Sequence, residues 1–183
     1  TNPNSHHFFN IKNKSIFTHV KLNIYPDGGV ARLRIYGSME IRTKFSKKII
    51  NLTSVLNGAA PIACNNEHFG RAENILAPGS GKNMGDGWET RRSRGKNFDW
   101  LILRCATEGE ISKIQIDTHH FKGNYPDKCS LQAAYLKGKV KNNDIVKKSK
   151  KWKLLLKKVK LYAHKKHNFK NNLMKNKKIN YIR

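Results

Sequence analysis

Acidic residues, prolines, cysteines and long apolar runs are all scarce in this chain of 183 residues, and each scarcity excludes something. The three cysteines, Cys64, Cys105 and Cys129, are far apart and include no Cys-x-x-Cys pair, so neither a disulfide framework nor a zinc ribbon is on offer. They read as free thiols that fill space as small hydrophobes in a reducing compartment, the cytoplasm first and the peroxisome second. No apolar run is long enough to cross a bilayer as a helix, and no basic-then-apolar leader pattern is present. Acidic side chains number 12 against 37 Lys and Arg, a net charge of +25 that suggests a polyanion partner until the charge is located. Residues 1–136 hold 19 basic and 11 acidic residues, whereas residues 137–183 hold 18 and 1. The excess therefore belongs to one segment, and the body is an ordinary, mildly basic globular sequence.

What is present is a series of short strand patterns. Residues 15–22 and 29–36 alternate apolar and polar side chains around Tyr25-Pro26-Asp27-Gly28-Gly29, which predicts a β-hairpin. Residues 38–48 form a basic connector. Asn51 to Gly58 predicts one helical turn stopped by Asn-Gly, and strands are expected from Pro61, over Asp99–Cys105, over Ile111–Thr118 with Ile111, Ile114 and Ile116 inward, and from Cys129 to Leu136. Many short strands with long polar loops predict an all-β sandwich or jelly roll. In such folds loops distant in sequence gather at one end, so the loops 65–70, 83–94 and 117–127 are expected to form one site.

The Lys-rich segment 137–183 is expected to be poorly ordered, with Trp152-Lys153-Leu154-Leu155-Leu156 as its compact apolar island. It nevertheless contains a repeat: His7-Phe8-Phe9 and residues 17–21 have counterparts in His167-Asn168-Phe169 and Ile179-Asn180-Tyr181-Ile182-Arg183. Residues 1–37 then read as the terminal hairpin of a preceding jelly-roll domain, 38–49 as a linker, and 50–183 as a second, similar domain lacking its last hairpin.

Residues 18–34, Asn83 through Arg92, His120-Phe121-Lys122-Gly123-Asn124-Tyr125-Pro126-Asp127, His68-Phe69-Gly70 and Leu76-Ala77-Pro78-Gly79 together resemble the allantoicase (allantoate amidinohydrolase) family. The resemblance implies two similar jelly-roll domains of the galactose-binding-like type, hydrolysis of allantoate to ureidoglycolate and urea in purine breakdown, and a homo-oligomer. Allantoate carries one carboxylate and two ureido groups, and the site must bind both and assist the departure of urea. Arg91 or Arg92 suits the carboxylate by bidentate geometry, with Arg94 as a further choice. Glu89, Asp86, His68 and His120 are the acid–base candidates, and Trp88, Lys122 and Asn124 complete the binding set. Glu89 is the first choice, because Trp88 supplies an apolar wall beside it and Asp86 a like-charged neighbour.

No cofactor is demanded by these patterns. Should a divalent metal be held, Asp117, His119 and His120 are the set expected to hold it, although adjacent histidines on a strand point to opposite faces. Two other functions stay open: a non-catalytic β-sandwich that binds a small ligand, and non-specific polyanion binding through the basic segment.

Overall fold

Leu101-Ile102-Leu103-Arg104-Cys105 is apolar on both faces but for Arg104, and such a strand belongs where protein covers it from two sides. A computed structural model of the chain, which describes residues 2–13, 15–17, 20–37, 49–95, 97–175 and 178–183, places it so. The chain divides into two units, Thr1–Glu40 and Ile41–Arg183.

In the larger unit the strands are β1 (Ala60–Cys64), β2 (Leu101–Gly109), β3 (Ile114–Asp117), β4 (Lys128–Ala134), β5 (Lys153–Lys160), β6 (Lys166–Phe169) and β7 (Ile179–Ile182). The helix α1 spans Asn142–Ser149. Five strands form one antiparallel sheet in the order β1-β2-β7-β4-β5, and β3 pairs with β6 in a second sheet. One face of the large sheet contributes Cys105, Ala133, Leu155 and Ile182 to a core that Ile111 and the partly buried Ile114 join. Opposite it, Ile102 and Tyr181 pack with Ile145 of α1 and with Trp152. Mostly antiparallel strands with little helix make this an all-β sandwich.

The short elements follow local chemistry. Val55–Asn57 is a 3₁₀ turn whose N-cap Ser54 accepts from the Leu56 amide, and Gly58 ends it at φ 100°, a conformation open to glycine. Ile111, Ile114 and Ile116 are all more buried than Ser112, Lys113 and Gln115, as the alternation predicted.

Residues 137–183 correct the expectation of poor order. They supply α1 and three strands, with β7 between β2 and β4 at the centre of the large sheet. Charge composition misleads here because it averages over faces. In β5, Leu155 and Leu156 are buried at 1% and 0% exposure while Lys153, Lys157, Lys158 and Lys160 stay in solvent. Arg183 ties the end of β7 to α1, its Nη1 donating to the buried Ser149 hydroxyl while its guanidinium stacks 4.8 Å from the Trp100 ring centroid.

The smaller unit contains no strand among its described residues, so the hairpin expected over 15–22 and 29–36 is not formed there. Phe17, Val20, Leu22, Ile24, Val30, Leu33 and Ile35 are all exposed. A two-stranded ribbon without a layer to bury its apolar face is marginal in water, and these residues provide no such layer. Thr18, His19 and the connector 38–48 lie outside the described residues.

Candidate active site

The loop that follows β1 and the loop that precedes β2 are clamped together at Glu89. Its carbonyl accepts the amides of His68 and Phe69, each at 3.1 Å, and of Gly70 at 3.3 Å, while its own amide donates to the Gly70 carbonyl at 3.2 Å. This crossing needs a residue without a side chain, because a Cβ on Gly70 would stand 2.1 Å from the Gly87 carbonyl oxygen. Asn74 stiffens the same loop, its Nδ2 donating to the carbonyls of Gly85 and Gly87 at 3.0 Å each. Asn83 caps the turn Met84–Asp86 by accepting the Gly85 amide. Many backbone groups are thus satisfied locally, and the loop holds its shape without regular structure.

The side chains then divide by role. Trp88 points inward: its ring packs against the core of Ala59, Ala72, Leu76, Leu101, Leu103 and Ala106, and its Nε1 donates to the Asn66 carbonyl at 2.9 Å. Asp86 faces its own loop, with Oδ2 accepting the Lys82 amide at 2.6 Å. Glu89 is half-buried and points the other way, where Oε1 accepts Nδ2 of Asn124 at 2.5 Å. The two carboxylates and the indole that the spacing suggested would share one pocket are therefore committed to different partners.

The second loop reaches the first at three places. Asn124 bonds to Glu89, the Phe121 ring lies 2.8 Å from where a Cβ of Gly87 would be, and His120 Nε2 donates to the Gly81 carbonyl at 3.0 Å. His68 belongs to the same surface, since its Nδ1 accepts Nε of Arg91 at 3.1 Å and its ring meets Phe69 edge-on at 4.4 Å. Arg92, Arg94 and Lys122 are exposed around it. Two depressions, of about 570 and 230 Å³, are lined by other residues and include neither Glu89 nor Asn124.

His119 and His120 do not sit on a strand. β3 ends at Asp117, and His120 turns into the left-handed region at φ 70°, which brings the two rings together at 4.1 Å instead of on opposite faces. A third ring comes from a stretch in which sequence reading saw no site: His164, whose ring lies 4.2 Å from that of His119. One ring nitrogen from each of the three lies within 4.8 Å of the other two. Asp117, expected as a metal ligand, instead uses Oδ1 to accept the His119 amide and holds Oδ2 3.9 Å from Lys166 Nζ. Burial, and then the neighbouring His120 and His164, hold the His119 imidazole below its ordinary value.

The family model described as Allantoicase repeat matches this chain twice, over residues 1–40 and over residues 50–183. The chain belongs to the allantoicase family. Probable allantoicases from Acinetobacter baumannii (strain AYE) and Pseudomonas fluorescens (strain SBW25) are similar to it. The first is 44% identical over 99% of this chain and 54% of that protein, the second 49% identical over 91% and 50%. The crystal structure of allantoicase from Saccharomyces cerevisiae superposes with a TM-score of 0.61 at 32% identity, covering 73% of this chain and 37% of that one. The chain thus spans about half the length of the curated relatives it matches. The double match also accounts for the repeat seen between the start and the end of the sequence.

Proposed function

We propose that this allantoicase-family chain contributes to the hydrolysis of allantoate to ureidoglycolate and urea, and that Glu89 is the group that moves the proton. The observation that carries the reading is the convergence on one open face of the half-buried Glu89 carboxylate, the Asn124 amide that holds it, and the Arg91–His68 pair. Loss of urea from the central carbon needs a proton delivered to the departing nitrogen, and water must then be deprotonated as it adds; one carboxyl can do both in turn. Asn124 fixes the rotamer of Glu89, so the carboxylate need not be ordered by the substrate. Arg91 spends Nε on His68, and its terminal NH₂ groups offer two donors for the substrate carboxylate, with Arg92 adjacent. Because His68 Nδ1 accepts that bond, a neutral His68 carries its proton on Nε2 and presents a donor. Asp86 and Trp88 shape the loop in this reading and do not touch substrate.

Urea release from allantoate by the protein and by its Glu89→Gln variant tests the proposal. The variant retains shape but cannot transfer a proton, and kcat is expected to fall by about 10²-fold or more with KM little changed. Turnover of the variant at the rate of the unmodified protein would remove Glu89 from the chemistry. Arg91→Lys keeps the charge and loses the fork, and is expected to raise KM at nearly constant kcat.

A further inference from the structure

We propose that His119, His120 and His164 form a binding site for a divalent transition ion of the zinc type. The inference does not depend on the allantoate reading.

The three imidazoles come from two loops that are locked to each other. The Thr118 amide donates to the Lys165 carbonyl, Thr118 Oγ1 to the Tyr162 carbonyl, and the His164 amide to the Phe121 carbonyl, all within 3.0 Å. Two of the three histidines have positive φ, 70° at His120 and 49° at His164. Side-chain-bearing residues adopt that conformation at a cost, and it recurs where the fold fixes a functional group.

The ring nitrogens are prepared unequally. His120 donates Nε2–H to the Gly81 carbonyl at 3.0 Å, which leaves its Nδ1 with a free lone pair; such a carbonyl partner is what orients metal-binding histidines. His119 Nδ1 is buried and has no hydrogen-bond partner. An orphaned buried nitrogen costs stability, and coordination would satisfy it. His164 Nδ1 accepts the His120 amide at 2.9 Å, so this exposed ring must give up one hydrogen bond or turn over to present a nitrogen. Its exposure also provides the ion's way in.

Around zinc, with Zn–N near ~2.1 Å, imidazole nitrogens stand roughly 3.4 Å apart. A present spread of up to 4.8 Å has to close by a little over ~1 Å for the three nitrogens to share one ion. Three imidazoles suit zinc, copper or nickel and not magnesium or calcium, which take oxygen. Asp117, whose Oδ1 accepts the His119 amide, adds a negative charge behind the set and partly offsets Lys166.

The test is calorimetric titration of the whole chain, stripped with a chelator, against zinc and separately against magnesium. One zinc per chain and no heat from magnesium are expected. His119→Gln and His164→Asn are each expected to weaken zinc binding by roughly tenfold or more. Asparagine is chosen at 164 because it tolerates the left-handed backbone. Cobalt in place of zinc gives a visible ligand-field band that should shift or vanish in both variants. The double variant His6→Ala/His7→Ala, in the other unit, should bind as the parent does. Zinc affinity unchanged by both His119→Gln and His164→Asn, or no stoichiometric binding at all, would overturn the site. Should His119→Gln fail to fold, the exposed His164→Asn decides alone.

Discussion

Replacing Gly70 with alanine is the sharpest probe of the loop crossing that positions Glu89. The added Cβ would meet the Gly87 carbonyl oxygen at 2.1 Å and the Glu89 amide nitrogen at 3.1 Å. Both are backbone atoms, so no rotamer change relieves the clash. Relief requires the strands of backbone to part, which sacrifices the Gly70–Glu89 pair of hydrogen bonds at 3.2 and 3.3 Å. At about 1 kcal/mol for each bond lost, with about 1–3 kcal/mol of strain for what relief does not remove, the expected destabilisation is about 3–5 kcal/mol. Gly123→Ala is the matched control in the neighbouring loop: nothing lies within 4 Å of its Cβ and its φ is not positive. It is expected to change stability by about 0.5 kcal/mol or less, or to stabilise slightly by restricting the unfolded chain. Urea denaturation followed by tryptophan fluorescence measures both. With m of roughly 1–3 kcal/mol/M, Gly70→Ala lowers the midpoint by about 1–5 M. Equal midpoints for the two variants would mean that the Gly70–Gly87 approach does not exist in solution, and the placement of Glu89 would fall with it.

Other expectations concern the core and the thiols. Ile102→Ala and Leu155→Ala remove side chains of 0% and 1% exposure from the two faces of the large sheet, and each is expected to cost about 2–5 kcal/mol in the same denaturation experiment. Burial pushes the Cys105 thiol up to about 12 and that of Cys129 to about 11, so at pH 8 neither is meaningfully ionised. A thiol-alkylating reagent followed by mass spectrometry should leave both unmodified in the folded protein and label both in urea. Amides of β7 should exchange with deuterium far more slowly than those of residues 20–24, because β7 lies between two partner strands and residues 20–24 lie in none; comparable protection would contradict the architecture.

Sequence reading succeeded where one local rule acted alone. The apolar run before Cys105 became β2, the alternation from Ile111 became β3, and Asn57-Gly58 ended a helical turn as read. The approach of loops 65–70, 83–94 and 117–127 followed from the general tendency of sandwich loops to cluster. Which side chains face outward did not follow. Trp88 and Glu89 are neighbours on an extended stretch and so point apart, yet the spacing argument put them on one wall. His164 was missed because nothing local distinguishes it from the lysines around it; only the pairing of β3 with β6 brings its loop against that of His119. The lysines of 137–183 concealed strands because a few apolar positions suffice to anchor one, as Leu155 and Leu156 do in β5 between lysines that stay in solvent.

The repeat sets the same kind of sequence in two surroundings, a strand in the larger unit and no strand among the described residues of the smaller one. Residues 17–21 correspond to residues 179–183, and in the larger unit that segment is β7, which bonds to β2 on one side and to β4 on the other. A central strand derives its stability from two neighbouring strands and from layers on both faces, not from its own alternation. The smaller unit shows no strand among its described residues. Phe17, Val20 and Leu22 are exposed at 61%, 64% and 51%, as expected of an apolar strand pattern that is not paired. The exposure of these side chains and the burial of Ile179, Tyr181 and Ile182 are two outcomes of one pattern, the second reached where the segment is paired on both sides.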